Sequence, residues 1–157
     1  MREILFRGKR TDNGEWVSGG SVVQFVDDGV RSFYMPQYNE KCTCTHDSLT
    51  DDILGFEDCR FYKVEPETVG QYTGLKDKNG KKIFEGDYWI DEEGDILVVE
   101  FRDCQFCFVI YGYDDELFGF AEVGELDCNP LDYYYINKIE FAGNIHDNPE
   151  LLKGEEK

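Results

Sequence analysis

The sequence predicts a mainly β protein built from short-stranded hairpins, with one or two short helices. Three observations predict it. Turn dipeptides that favour positive φ recur along the chain, at Asn13-Gly14, Asp28-Gly29, Asn79-Gly80 and Glu93-Gly94. Short apolar or alternating runs flank them. The helical patterns are short by comparison, that at 46–55 being bounded by a capping Asp or Ser and a terminal glycine.

The elements follow in order. Ile4-Leu5-Phe6 is expected to pair across the first turn with Trp16-Val17, and Val22 to Val26 across the second with Val30 to Tyr34, making an N-terminal β-meander. A short helix is expected over His46 to Gly55. Phe61-Tyr62-Lys63-Val64 reads as a strand, and Pro66, which has no N–H for a ladder, opens a connecting segment through Val69 to Gly74. The apolar runs resume as Tyr88 to Ile90, Ile96 to Phe101, Phe106 to Tyr111 and Tyr133 to Phe141, the spacing of a small barrel or sandwich. The stretch 114–124 reads either as a helix start or as a bent strand, and periodicity leaves both open. Asn148-Pro149 then starts a terminal helical turn, with proline at the first helical position.

Composition bounds the function. Of 157 residues, 41% are hydrophobic and 15% aromatic, enough to build a core. The formal charge of -18 argues against non-specific attraction to phosphates or an anionic membrane, because the long-range field repels both. No apolar run reaches the length of a membrane span and no export signal opens the chain, so a cytoplasmic location in a bacterial host is expected. In that reducing compartment the six cysteines are expected as thiols.

Three stretches together resemble the YopX family of bacteriophage and prophage proteins. The first is Arg2 to Arg10 followed by Gly14-Glu15-Trp16-Val17; the central one runs from Val69 to Asp87; the last is Gly143-Asn144-Ile145-His146-Asp147-Asn148-Pro149-Glu150-Leu151-Leu152. The resemblance implies a phage or prophage gene and a β-rich fold with an SH3-like barrel element, and it carries no catalytic residues to this chain. The expected organisation is an N-terminal meander with its connecting segment over 1–75, then an SH3-like small β-barrel with a helical turn over 76–157.

Candidate sites are few. Cys42, Cys44 and His46 alternate, so on an extended chain they share one face, and Cys59, or the pair Cys104 and Cys107, would complete a tetrahedral zinc site. The motif lacks a second Cys-x-x-Cys knuckle, and ordinary buried or half-buried thiols are the preferred reading; no metal or cofactor is expected. A metal-dependent enzyme is the alternative those residues keep open. Gly74 and Gly80 are spaced one residue too far for a phosphate loop, and Lys81-Lys82 lacks the following Ser or Thr.

Between Glu85 and Asp132 fifteen acids face a single cation, Arg102. An interaction surface is expected there, on Asp91, Glu92, Glu93, Asp95, Asp114, Asp115 and Glu116, where carboxylates on a β scaffold imitate a row of phosphates. The competing explanation is that these acids serve solubility and discourage edge pairing. Lys76, Lys78, Lys81 and Lys82 form a basic patch just before this region, the one place from which the sequence suggests a nucleic-acid contact. The expectation is a non-catalytic phage accessory protein that binds a host or phage protein with a basic face. An SH3-like nucleic-acid module is the other alternative.

Overall fold

The computed structural model describes residues 3–27, 29–38, 59–114, 119–125 and 139–151. The structure is mainly β, with twelve strands among the described residues. The chain divides into two compact units, Ile4–Val69 and the remainder from Gly70 together with Glu3.

In the N-terminal unit, β1 (Phe6–Lys9) pairs antiparallel with β2 (Trp16–Gly19), Gly8 lying opposite Val17. The turn is closed by Arg10 N–H to Glu15 O at 2.9 Å, and Gly14 adopts φ 71°. Strands β3 (Val23–Asp27), β4 (Val30–Tyr38) and β5 (Cys59–Val64) form a three-stranded sheet in that order. The register Val23 to Tyr34 matches the expected second hairpin. Met35 and Val64 are fully buried. Gly8 lies against them: a Cβ there would come within 3.2 Å of the Val64 side chain. Pro66–Thr68 forms a single 3-10 turn, which ends the pairing as its proline requires. The Thr68 hydroxyl accepts the Lys9 N–H at 2.8 Å, tying this turn back to β1. The helix expected over 46–55 lies outside the described residues.

The second unit begins with β6 (Gly70–Lys76) paired to β7 (Lys82–Phe84). What reads in sequence as a connecting segment is thus largely a strand. Gly70 has to be glycine, because a Cβ would sit 2.6 Å from the Glu85 carbonyl oxygen. There follow β8 (Asp87–Ile90), β9 (Ile96–Arg102), β10 (Gln105–Asp114), β11 (Gly119–Glu125) and β12 (Glu140–Asn144). They form one antiparallel sheet ordered β11-β10-β9-β8-β12, curled as a half-barrel. The ambiguous stretch near 120 is therefore a strand in its described part.

Both faces of this sheet are covered. On one, Trp89, Leu97, Val99, Phe106 and Phe108 pack with Ile83; on the other, Tyr88, Ile96 and Val98 pack with Tyr111, Ile145 and Leu151. Burial on both sides explains why Ile96 to Val99 is a continuous apolar run instead of an alternating one. Trp89 anchors the first core through edge-on contacts with Phe108 and Phe141 at 5.4 and 5.6 Å.

Candidate functional site: an acidic end of the sheet

Two consecutive hairpin loops share one backbone design. In Asp77-Lys78-Asn79-Gly80-Lys81, the Asp77 carboxylate accepts the N–H groups of Asn79 and Lys81 at 2.9 and 2.8 Å. In Asp91-Glu92-Glu93-Gly94-Asp95, the Asp91 carboxylate accepts those of Glu93 and Asp95, both at 2.9 Å. Each loop is closed by the same two backbone bonds, and Gly80 and Gly94 take φ 81° and 91°. A β-branched or bulky side chain is strained at that φ, which is why the glycine recurs. Asn79 keeps a negative φ, so the turn is a longer Asp-capped loop and not the two-residue Asn-Gly turn that the dipeptide suggests.

The twins differ in charge. The first exposes Lys78 and Lys81, the second Glu92 and Glu93. Asp91 and Asp95 have structural work in addition to their charge. Asp91 organises the loop, while the Asp95 carboxylate lies over Gly112 of β10, where a Cβ would overlap it.

Antiparallel order then gathers the acids. Ile90 pairs with Ile96, and Ile96 with Tyr111, so the 91–95 loop lies at the end of the sheet where β10 finishes in Asp114. Asp115 and Glu116 continue from there but lie outside the described residues. Arg102, the single cation of the region, is at the far end of β9, opposite Gln105. Its guanidinium binds Glu122 through two bonds of 2.8 and 3.0 Å and Glu100 through Nε at 3.0 Å. The bidentate pair holds the Glu122 carboxyl below the usual range. Glu100 in turn accepts the Tyr111 hydroxyl at 2.9 Å. Burial, then that bond, pushes the Tyr111 phenol up to about 12.

The basic candidates are placed on and beside the first twin loop. Lys76 and Lys82 face each other across the β6–β7 ladder. Lys82 pairs with Glu3 at 2.8 Å, and Lys81 lies 3.3 Å from the centre of the Phe141 ring. Lys81 and Lys82 are therefore engaged within their own unit. Of the soft ligands, Cys42, Cys44 and His46 lie outside the described residues and Cys59 opens β5. Cys104 and Cys107 are thiols outside any disulfide, the first exposed and the second buried, where its thiol donates to the Glu100 carbonyl oxygen at 3.8 Å. Among the described residues no three His, Cys, Asp or Glu side chains group as metal ligands, and no helix is long and apolar enough to cross a membrane.

Sequence reasoning missed one buried constellation. Asp87 is fully buried; its carboxylate accepts the Phe84 N–H at 2.9 Å and faces the Asn144 amide at 3.4 Å. Gly86 O accepts the Ile145 N–H at 3.0 Å, and Asn144 Oδ1 accepts the His146 N–H at 3.0 Å. The central and terminal stretches quoted above thus meet in space, 57 residues apart for Asp87 and Asn144. A signal existed in Glu85-Gly86-Asp87, which reads as a turn; that its acid is buried against a second motif was not legible locally.

A half-barrel sheet with an acidic end, tied together by a buried Asp-Asn contact, defines a mainly antiparallel β protein. The chain belongs to the YopX protein family, whose model matches residues 5–153, nearly its whole length. Among solved structures, protein EF1440 from Enterococcus faecalis is similar to it, with a TM-score of 0.45 at 21% identity over 95% of this chain and 97% of that one. No curated protein matches the sequence.

Proposed function

We propose that this chain is a non-catalytic phage or prophage accessory protein, acting in the bacterial cytoplasm, that binds a host or phage protein through the acidic end of its half-barrel sheet. One observation carries the reading: the 91–95 loop is held by its own Asp91 cap at the end of the sheet where Asp114 also lies, while the Arg102 guanidinium is paired with Glu100 and Glu122. Glu92 and Glu93 are thereby exposed on an Asp-capped loop, and Arg102 is the single cation that β9 and β10 carry. Each exposed carboxylate contributes only about 0.2–1 kcal/mol to a contact, so the surface acts mainly by steering a partner with a basic face.

The test is a pull-down from bacterial lysate with mass spectrometry, followed by association kinetics of the recovered partner. Glu92→Lys with Glu93→Lys is the discriminating variant, since it spares the structural Asp91 and Asp95. The association rate should fall by about tenfold or more at low salt and converge with wild type as salt rises. Unchanged rate and salt dependence would reduce the acidic end to a solubility device.

A further inference from the structure

Each of the two units exposes one Asn-Gly pair in a hairpin loop, Asn13-Gly14 and Asn79-Gly80, and the fold treats their side chains differently. Such a pair is chemically labile, because without a Cβ the glycine nitrogen reaches the asparagine carboxamide carbon with little steric hindrance. In both loops that nitrogen is engaged alike. Gly14 N–H donates to Arg10 O and Gly80 N–H to Asp77 O, each at 3.0 Å. The carboxamides differ. Asn13 Nδ2 donates to Glu15 Oε2 at 2.8 Å and Asn13 Oδ1 accepts the Glu15 N–H at 3.0 Å, so both ends of that amide are fixed on Glu15. Asn79 is held only through its backbone N–H, bonded to Asp77, and its carboxamide makes no hydrogen bond among the described residues. Charge separates the loops as well. Residues 10–15 set Arg10 against Asp12 and Glu15, whereas 77–81 set Lys78 and Lys81 against Asp77, so the second loop alone has a net positive charge to favour an anionic nitrogen.

We infer that Asn79 is a self-modifying site, which deamidates in the folded chain to an aspartate that its loop accepts, while Asn13 is protected. The reaction needs only water and its hydroxide. Once hydroxide removes its proton, Gly80 N attacks Asn79 Cγ. The new C–N bond closes a five-membered imide, the Cγ–Nδ2 bond breaks, and Nδ2 takes a proton from water and leaves as ammonia. Water then opens the imide at Cγ to give aspartate, or at the backbone carbonyl to give isoaspartate, with no change of oxidation state. The Gly80 N–H bond to Asp77 has to open first, which an exposed loop does at little cost. The twin loop shows that the aspartyl product fits. Counted from the capping aspartates, Asn79 takes the place of Glu93 and Gly80 that of Gly94, so an acid at this position is compatible with the same backbone. Aspartate therefore keeps the loop and cancels its net positive charge. Isoaspartate instead lengthens the main chain by a methylene between the Asp77 cap and Gly80 and breaks the loop. Either way the basic loop changes charge once and irreversibly, independently of any contact at the acidic end.

The experiment holds the full chain at mildly alkaline pH, with and without denaturing urea, and maps its peptides by mass spectrometry with the asparaginyl, aspartyl and isoaspartyl forms separated. In the folded chain Asn79 should convert about tenfold faster than Asn13, the factor that two exposed hydrogen bonds supply. In urea the gap should narrow sharply, since most of the protection belongs to the fold. Glu15→Ala removes the acceptor of Asn13 Nδ2 and should speed conversion at Asn13 while leaving Asn79 unchanged. Asn79→Asp should match the converted chain on anion exchange and keep hydrogen-exchange protection at the Lys81 N–H, which is bonded to Asp77. Equal rates at the two sites in the folded chain, an Asn79 that stays amidated, or a rate ratio unchanged by urea would each overturn the proposal. So would an Asn13 indifferent to Glu15→Ala, or loss of the Lys81 protection in Asn79→Asp.

Discussion

The twin loops make a differential prediction that geometry alone does not. Asp77 and Asp91 each accept two backbone N–H groups at 2.8–2.9 Å, so replacing either by alanine removes the same pair of bonds. Side-chain hydrogen bonds contribute about 0.5–1.5 kcal/mol each net, and in exposed loops the released N–H groups find water, so about 1–2 kcal/mol is expected for Asp77→Ala and Asp91→Ala alike. Asparagine keeps the acceptor and removes only the charge, and here the loops diverge. Asp77 sits among Lys76, Lys78, Lys81 and Lys82, whereas Asp91 sits among Glu92, Glu93 and Asp95. Exposed charge pairs are worth a few tenths of a kcal/mol, so Asp77→Asn should cost about 0.5 kcal/mol and Asp91→Asn should be neutral or stabilising by a similar amount. Both differences should shrink in high salt. Urea unfolding of the four variants at low and high salt reads all of this. If Asp91→Asn is as damaging as Asp91→Ala, the carboxylate charge holds the loop and the reasoning fails; equal shifts for both asparagine variants would refute the electrostatic part.

Two further outcomes follow from the β9–β10 turn and from Tyr111. Asp103 and Cys104 connect these strands with φ of 47° and 66°, a left-handed pair without glycine, so Cys104→Gly should raise stability by about 1 kcal/mol in thermal unfolding; no gain would mean the strain is absent. The Tyr111 phenol is raised from 10.0 to about 12 in the folded chain, so its contribution is fully present below pH 10 and is lost as pH rises toward 12. Tyr111→Phe should flatten that alkaline limb of the stability profile, which chemical unfolding across the range would detect.

How much was legible depends on how local the cause is. Hairpin tips at Gly14, Gly80 and Gly94 could be read directly, because positive φ is a property of one residue and glycine meets it at no steric cost. The strands around Trp89, Val98 and Phe108 could be read from their apolar runs. The Asp103-Cys104 turn could not, since neither residue type announces a left-handed pair. Nor could the strand character of Gly70 to Lys76, whose glycines and proline-bounded start resemble a linker. The family resemblance placed the chain correctly, yet gave its motifs only turns.

By itself the sequence determined the β class, the hairpin positions and the concentration of acids after Glu85, because each follows from residue type and short-range spacing. Tertiary structure alone decided which acids the fold itself occupies and which are left exposed. Asp87 disappears into a contact with Asn144, Asp91 caps its loop, Glu100 and Glu122 hold Arg102, and Glu92 and Glu93 are left exposed. Those roles depend on strand order and register, which bring distant residues together through burial of both sheet faces, and no local pattern encodes that partnership.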